Sequence, residues 1–134
     1  MELVIDASVA AKWFLEEKER EVAENLRRAH LDGKIRLAAP GLLFFELANL
    51  LVTKKTIFPV KAVSALKAIL DMKISFFGFT EGDLEFWVRI CRERKISAYD
   101  ASYLSLAKKL NCDFITSDKK LYEKVKTLKF VKLL

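Results

Sequence analysis

The sequence predicts an α/β fold, a mostly parallel sheet of four to five strands flanked by helices. Short runs of strand length recur at Glu2–Ile5, Ile35–Ala38, Ile74–Phe79, Asp113–Thr116 and Phe130–Leu133. Segments with helical spacing lie between them, and that alternation favours parallel pairing through helical crossovers. The first run, Glu2–Ile5, is apolar without alternation up to Asp6, as a strand buried on both faces is.

The elements follow in order. After Glu2–Ile5 comes Asp6-Ala7-Ser8 and a short helical piece, Val9–Leu15. The charged run Glu16–Glu21 reads as a solvated turn and helix start. Val22, Ala23, Leu26 and Ala29 recur at helical spacing, so Glu19–Leu31 is an amphipathic helix ended by Gly33. His30 at its end is expected to face solvent. Ile35–Ala38 is closed by Pro40, and Gly41–Lys55 is the next helix. Pro59 starts a further helix, Pro59–Met72, whose polar residues form one narrow stripe. Its apolar remainder, including Leu66 and Ile69, exceeds one core face and is expected to serve association. Thr80-Glu81-Gly82-Asp83 fits a capping box, with Asp83 only a cap. Leu84, Trp87, Val88 and Cys91 then carry a core face to about Lys95. A helix over Lys95–Leu110, the strand Asp113–Thr116, the helix Lys119–Lys126 and a last edge strand complete the chain.

The 134 residues, 52% of them hydrophobic, suit one domain over 1–134 with a real core. No uncharged apolar run approaches the ~18 residues of a membrane span, and the first residues do not form a signal peptide. A soluble, cytoplasmic protein is expected. Cys91 and Cys112 make no metal-ligand spacing and read as reduced packing residues. With His30 as the single histidine, mechanisms that need a histidine pair or a histidine-rich metal site are nearly excluded. The net charge of +6 favours an anionic partner such as nucleic acid.

Chemistry concentrates in four acids. Asp6 and Asp118 both stand where a strand ends, and each has two readings: a helix cap, or a side chain in a cleft at the carboxyl edge of the sheet. On the helix Lys95–Leu110, Asp100 shares a face with Ile96, Tyr103, Leu104 and Ala107. It either reaches back to Ser97 in a capping box or shares a cation with other carboxylates. Glu46 lies among Leu42, Leu43 and Leu50 with only Asn49 for polar company, so it meets a basic partner in the core or faces a polar cleft. If the two strands are neighbours, all four acids converge, and four charges share a dry cleft only around a cation. Oxygen-only ligands select Mg²⁺ or Mn²⁺. No nucleotide-binding loop is present, so such an ion fits phosphodiester cleavage better than triphosphate use.

VIDAS, FFELANLL, AYDASYLSLA and ITSDKKL stand in the order and spacing of PIN-domain proteins, and the chain resembles the VapC-type ribonuclease toxins of prokaryotic toxin–antitoxin pairs over its whole length. That resemblance implies a PIN-like three-layer α/β/α sandwich. It implies Asp6, Asp100 and Asp118 as metal-holding catalytic residues, with Glu46 acting directly or through water, and Ser8 and Thr116 as polar neighbours. It further implies Mg²⁺- or Mn²⁺-dependent endoribonuclease activity on RNA, a homodimer, and inhibition by a small cognate antitoxin. Two other readings stay open: a PIN-domain nuclease of RNA processing or quality control, and a PIN-like interaction module without catalysis. A small antitoxin-like reading frame next door, or its absence, separates the first from a toxin, and divalent-dependent cleavage separates the second.

Overall fold

A computed structural model describes residues 1–134. Its five strands are β1 (Glu2–Ile5), β2 (Arg36–Pro40), β3 (Ser75–Phe77), β4 (Asp113–Thr116) and β5 (Val131–Leu133). They form one sheet in the order β3-β2-β1-β4-β5, and every pairing is parallel. The helices are α1 (Ala7–Ala10), α2 (Arg20–Leu31), α3 (Leu42–Thr53), α4 (Pro59–Asp71), α5 (Leu84–Arg94), α6 (Ala98–Leu110) and α7 (Lys119–Val125), with 3₁₀ turns at Ala11–Trp13 and Glu81–Asp83.

The strand order sets the place of the site. The chain steps from β1 to β2 to β3 in one direction, then crosses back to β4 and β5 on the other side of β1. Right-handed crossovers therefore put the earlier and later helices on opposite faces, giving three layers. The direction reverses between β1 and β4, and such a reversal opens a crevice at the carboxyl ends of the two strands. The register aligns Ile5 with Ile115, so the next residues, Asp6 and Thr116, leave the sheet side by side.

The central strands hold the core. Val4, Ile5, Leu37, Ala38, Ala39 and Phe114 are fully buried, and α6 covers β1, β2 and β4 with Ala101, Tyr103, Leu104 and Ala107. The small Ala38 and Ala39 leave room for the helices, and Leu43, Leu47 and Leu51 seal α3 onto the other side.

Several expectations change. His30 is half-buried and not a free surface residue: its Nδ1 accepts the Leu37 N–H at 3.1 Å, and its Nε2 faces the Met72 carbonyl at 2.7 Å. That pairing puts the proton on Nε2 and ties α2 to β2 and to the end of α4. Ile69 is 0% exposed and belongs to the core, and Leu66 packs partly against it, so neither is a free anchor on α4. The exposed apolar residues there are Val60, Val63 and Leu70. On α5 the deepest residue is Ile90, whereas Leu84 and Val88 face outward. The charged run Glu16–Glu21 is pinned by Lys12, which is only 5% exposed. Its ammonium donates to the Lys18 carbonyl at 2.7 Å and pairs with Glu17 and Glu19 at 3.3 and 3.4 Å. A lysine can be buried when its charge is met this way. Both cysteines are free thiols, and burial raises the pKa of each.

Candidate active site

Asp6 is the deepest of the four acids, 7% exposed, at the N-terminal cap of α1. Its carboxylate accepts the Val9 N–H at 3.3 Å, the Ser8 hydroxyl at 2.5 Å and the Thr116 hydroxyl at 2.5 Å. The two hydroxyls are themselves held. The Ser117 N–H donates to Ser8 Oγ at 2.9 Å, and the Asp118 N–H donates to Thr116 Oγ1 at 3.1 Å. The ends of β1 and β4 are thus laced together through one carboxylate. Asp118 caps α7 by accepting the Leu121 N–H at 3.1 Å, and it stands exposed at the mouth. For both strand-end acids the cap and the cleft are therefore compatible. One lone pair caps the helix, and the carboxylate still sits at the carboxyl edge.

Asp100 lies in the first turn of α6. Its N–H donates to Ser97 Oγ at 3.1 Å, which is the serine half of the expected box. Glu46, on α3, has no basic partner. Its Oε1 accepts the Tyr103 hydroxyl at 2.5 Å. Tyr103 is 1% exposed and stacks on Phe114 of β4, ring centroids 5.7 Å apart. That phenol is a functional group the sequence reading passed over. The available signal was its place three residues beyond Asp100, on the same helix face.

The four carboxylates feel one another. Burial pushes the Asp6 carboxyl up to about 6 against its hydrogen bonds from Ser8, Thr116 and Val9, with Asp118 adding repulsion. Burial also raises Glu46, opposed by the Tyr103 hydroxyl and reinforced by Asp100. Asp100 is raised by burial and by Asp118, against the pull of Ser97 and Lys124. Burial and the bonded Glu46 push the Tyr103 phenol far upward, so it stays a hydrogen-bond donor. The chain of neighbours is thus Asp6, Asp118, Asp100, Glu46. No ion pair in the molecule includes any of them.

Asp83 shows what compensation looks like. It is 4% exposed, no more accessible than Asp6. Burial pushes its carboxyl up, but the Ser105 hydroxyl, the Lys109 ammonium at 2.9 Å and the Thr80 N–H outweigh that and hold it at about 2. Asp83 does complete the expected capping box with Thr80, yet it is more than a cap, because it also ties α6 to the start of α5. The two aspartates go opposite ways because Asp6 lies deeper and has no cation, whereas at Asp83 the bonds from Ser105, Lys109 and Thr80 together exceed the cost of burial.

The four acids and the Ser8 and Thr116 hydroxyls are oxygen donors, with no sulfur or imidazole in the set, the donor type a hard divalent ion takes, and none of the four acids is in an ion pair. No three of the acids form a ready-made metal cage. A separate apolar depression of about 610 Å³, lined by Phe45, Phe79, Trp87, Tyr99 and Leu106 among others, includes none of the four acids. No helix is long and apolar enough to cross a membrane.

The fold has counterparts among solved structures. The fold is similar to the crystal structure of PAE2754 from Pyrobaculum aerophilum, at 21% identity and TM-score 0.67 over 99% of this chain and 90% of that one. It is similar to VapBC2 from Rickettsia felis, solved bound to a DNA fragment from their promoter, at 14% identity and TM-score 0.74 over 100% and 99%. It is similar to FitAcB from Neisseria gonorrhoeae, at 17% identity and TM-score 0.67 over 98% and 96%. No curated protein matches the chain in sequence. A sequence profile of the PIN domain matches residues 3–126, nearly the whole chain, and on that match the chain belongs to the PIN domain family.

Proposed function

We propose that this PIN domain is a Mg²⁺- or Mn²⁺-dependent endoribonuclease of the VapC toxin type, hydrolysing RNA phosphodiester bonds at the β1–β4 crevice. The observation that carries the reading is the line of four mutually repelling carboxylates, unpaired with any cation, at the sheet's topological switch point. Asp6, Asp100 and Asp118 would hold the ion, with Glu46 acting directly or through water. The bound ion supplies activation of a water and positive charge for the attacked phosphate.

The chain's own groups do the positioning. Ser8 and Thr116 fix both oxygens of Asp6, which leaves its remaining lone pairs aimed without rotamer search. Tyr103 occupies Oε1 of Glu46 and leaves Oε2 free. Because the phenol keeps its proton, it adds no second negative charge and its bond favours the ionised form of Glu46.

The likeness to VapBC2 and FitAcB supports the toxin reading over RNA processing. A second copy of the chain and a small antitoxin are the proposed protein partners. Val60, Val63 and Leu70 on α4, with Phe45 and Val52 on α3, supply exposed apolar surface for them. The test is incubation of the purified protein with total RNA in Mn²⁺ or EDTA, with mapping of the cut ends. Asp100→Asn and Asp118→Asn are expected to abolish cleavage while leaving the fold intact. Cleavage that persists in EDTA, or full activity of either variant at saturating Mn²⁺, refutes the reading.

A further inference from the structure

The positive charge is not spread evenly. Residues 1–88 carry twelve Lys and Arg against thirteen Asp and Glu, whereas residues 89–134 carry twelve against five. The whole net charge of the protein therefore belongs to α5's end, α6, α7 and the strands beside them. In the first part the acids outnumber the cations, and Arg20 pairs with Glu16, Arg27 with Glu24, and Lys12 with Glu17 and Glu19. Lys95, Lys119, Lys120 and Lys124 are exposed, and none forms an ion pair.

These four lysines flank the crevice. Lys119 and Lys120 follow Asp118 directly at the start of α7. Lys95 ends α5 in a left-handed conformation, φ 56°, five residues before Asp100. The Lys124 ammonium donates to the Lys95 carbonyl at 3.0 Å, which joins α7 to the α5–α6 joint and holds that charge where Asp100 feels it. Arg94 braces the same joint through the Thr127 hydroxyl at 2.6 Å.

A crevice of four carboxylates repels a polyanion, and at physiological salt that repulsion reaches about 8 Å. A substrate backbone needs cations beside the acids, and Lys119 and Lys120 follow Asp118 directly while the charge of Lys124 reaches Asp100. We propose that the surface formed by Lys95, Lys119, Lys120 and Lys124 is the track on which the phosphate backbone of single-stranded RNA approaches the crevice. The proposal rests on the nuclease reading above and adds the side from which the RNA enters. It also separates substrate from protein partners, because the exposed apolar residues of α3 and α4 belong to the earlier half of the chain.

The test measures binding of a labelled single-stranded RNA in EDTA, where no cleavage occurs under the nuclease reading. The triple variant Lys119→Glu/Lys120→Glu/Lys124→Glu is compared with a control of equal charge change on the other part, Lys54→Glu/Lys61→Glu/Lys67→Glu. The flank variant is expected to bind at least tenfold more weakly at about 100 mM salt. Its log Kd against log salt slope should fall by about 2, since each lost phosphate contact on a single strand removes about 0.7. The control should change affinity by less than threefold. Mn²⁺-dependent hydrolysis of bis(p-nitrophenyl) phosphate, which has no backbone to track, should be unchanged in the control variant. The glutamine version of the flank variant guards against repulsion as the cause and should still weaken binding.

Equal behaviour of flank and control variants overturns the track, as does a flank variant that keeps RNA binding and loses binding of a poly-glutamate peptide instead. Failure of the wild type itself to hydrolyse the small diester or RNA in Mn²⁺ would refute the nuclease reading separately.

Discussion

Replacing Asp6 with asparagine removes one charge at the least solvated point of the crevice and keeps the side-chain shape. Burial raises the Asp6 carboxyl to about 6, roughly two units above its ordinary value. At 1.36 kcal/mol per unit, the ionised form costs the metal-free fold up to about 3 kcal/mol. The sign follows from linkage. The native state binds this proton more tightly than the unfolded chain does, so the metal-free wild type loses stability as pH rises from about 4 through about 6, and changes little from this group above that. The asparagine variant lacks that slope. It does weaken the bonds from Ser8, Thr116 and Val9, at a cost of about 1 kcal/mol. The two effects cross. In EDTA, the variant should be less stable than wild type near pH 4 and more stable at pH 7.5 by about 1–2 kcal/mol. For a chain of this length that is a melting shift of roughly 3–6 °C. Mn²⁺ should invert the order at pH 7.5, since ligand at a hundred times its Kd adds about 2.7 kcal/mol to a protein that binds it and nothing to one that does not. Circular-dichroism melts at two pH values, with EDTA or MnCl₂, read all four corners. If Asp6→Asn melts below wild type in EDTA at pH 7.5, or if Mn²⁺ raises both equally, burial of an unpaired charge is not what governs this position.

Asp83→Asn should behave in the opposite sense: a carboxyl held at about 2 contributes about 2 kcal/mol above pH 4 that is lost as pH falls toward 2, so urea unfolding at pH 7 should show a loss near that size with RNA cleavage retained, and a loss well under 1 kcal/mol would mean it is only a cap. Tyr103→Phe frees Oε1 of Glu46 and should weaken Mn²⁺ binding by calorimetry about tenfold without unfolding the protein; an unchanged affinity removes the phenol from the site. Ile69→Glu should abolish folding, because a charge would enter a fully buried position, while Val63→Glu, on the exposed side of α4, should fold and yield a smaller species by light scattering or lose antitoxin binding. A Val63→Glu protein that stays associated and antitoxin-sensitive places those partners elsewhere.

Most of the fold was legible in the chain because strand and helix signals are local. The runs at Glu2–Ile5 and Asp113–Thr116 appear as β1 and β4 with the expected bounds, and Pro59 opens α4 where its missing N–H costs nothing. The acids at Asp6, Asp100 and Asp118 were legible too, since a carboxylate at a strand end or a helix start is visible in one dimension. What the sequence left open was what each acid faces. Asp6 and Asp83 are both aspartates at helix starts, and nothing local tells them apart. Lys109, 26 residues away, meets Asp83, and no cation meets Asp6. Glu46 finds a hydroxyl 57 residues away, and His30 bridges to Met72 at a separation of 42. Lys12 reads as part of a charged surface and is buried. Hydrophobic spacing marks which face of a helix turns inward, and it found the buried Ala23 on α2, but it misplaced Val22 beside it, overestimated α4 and misplaced Leu84 and Val88. Burial of a charge depends on a partner brought by the fold, and the strand order that seats β4 beside β1 is the physical event that joins Asp6 to Thr116 and Asp118.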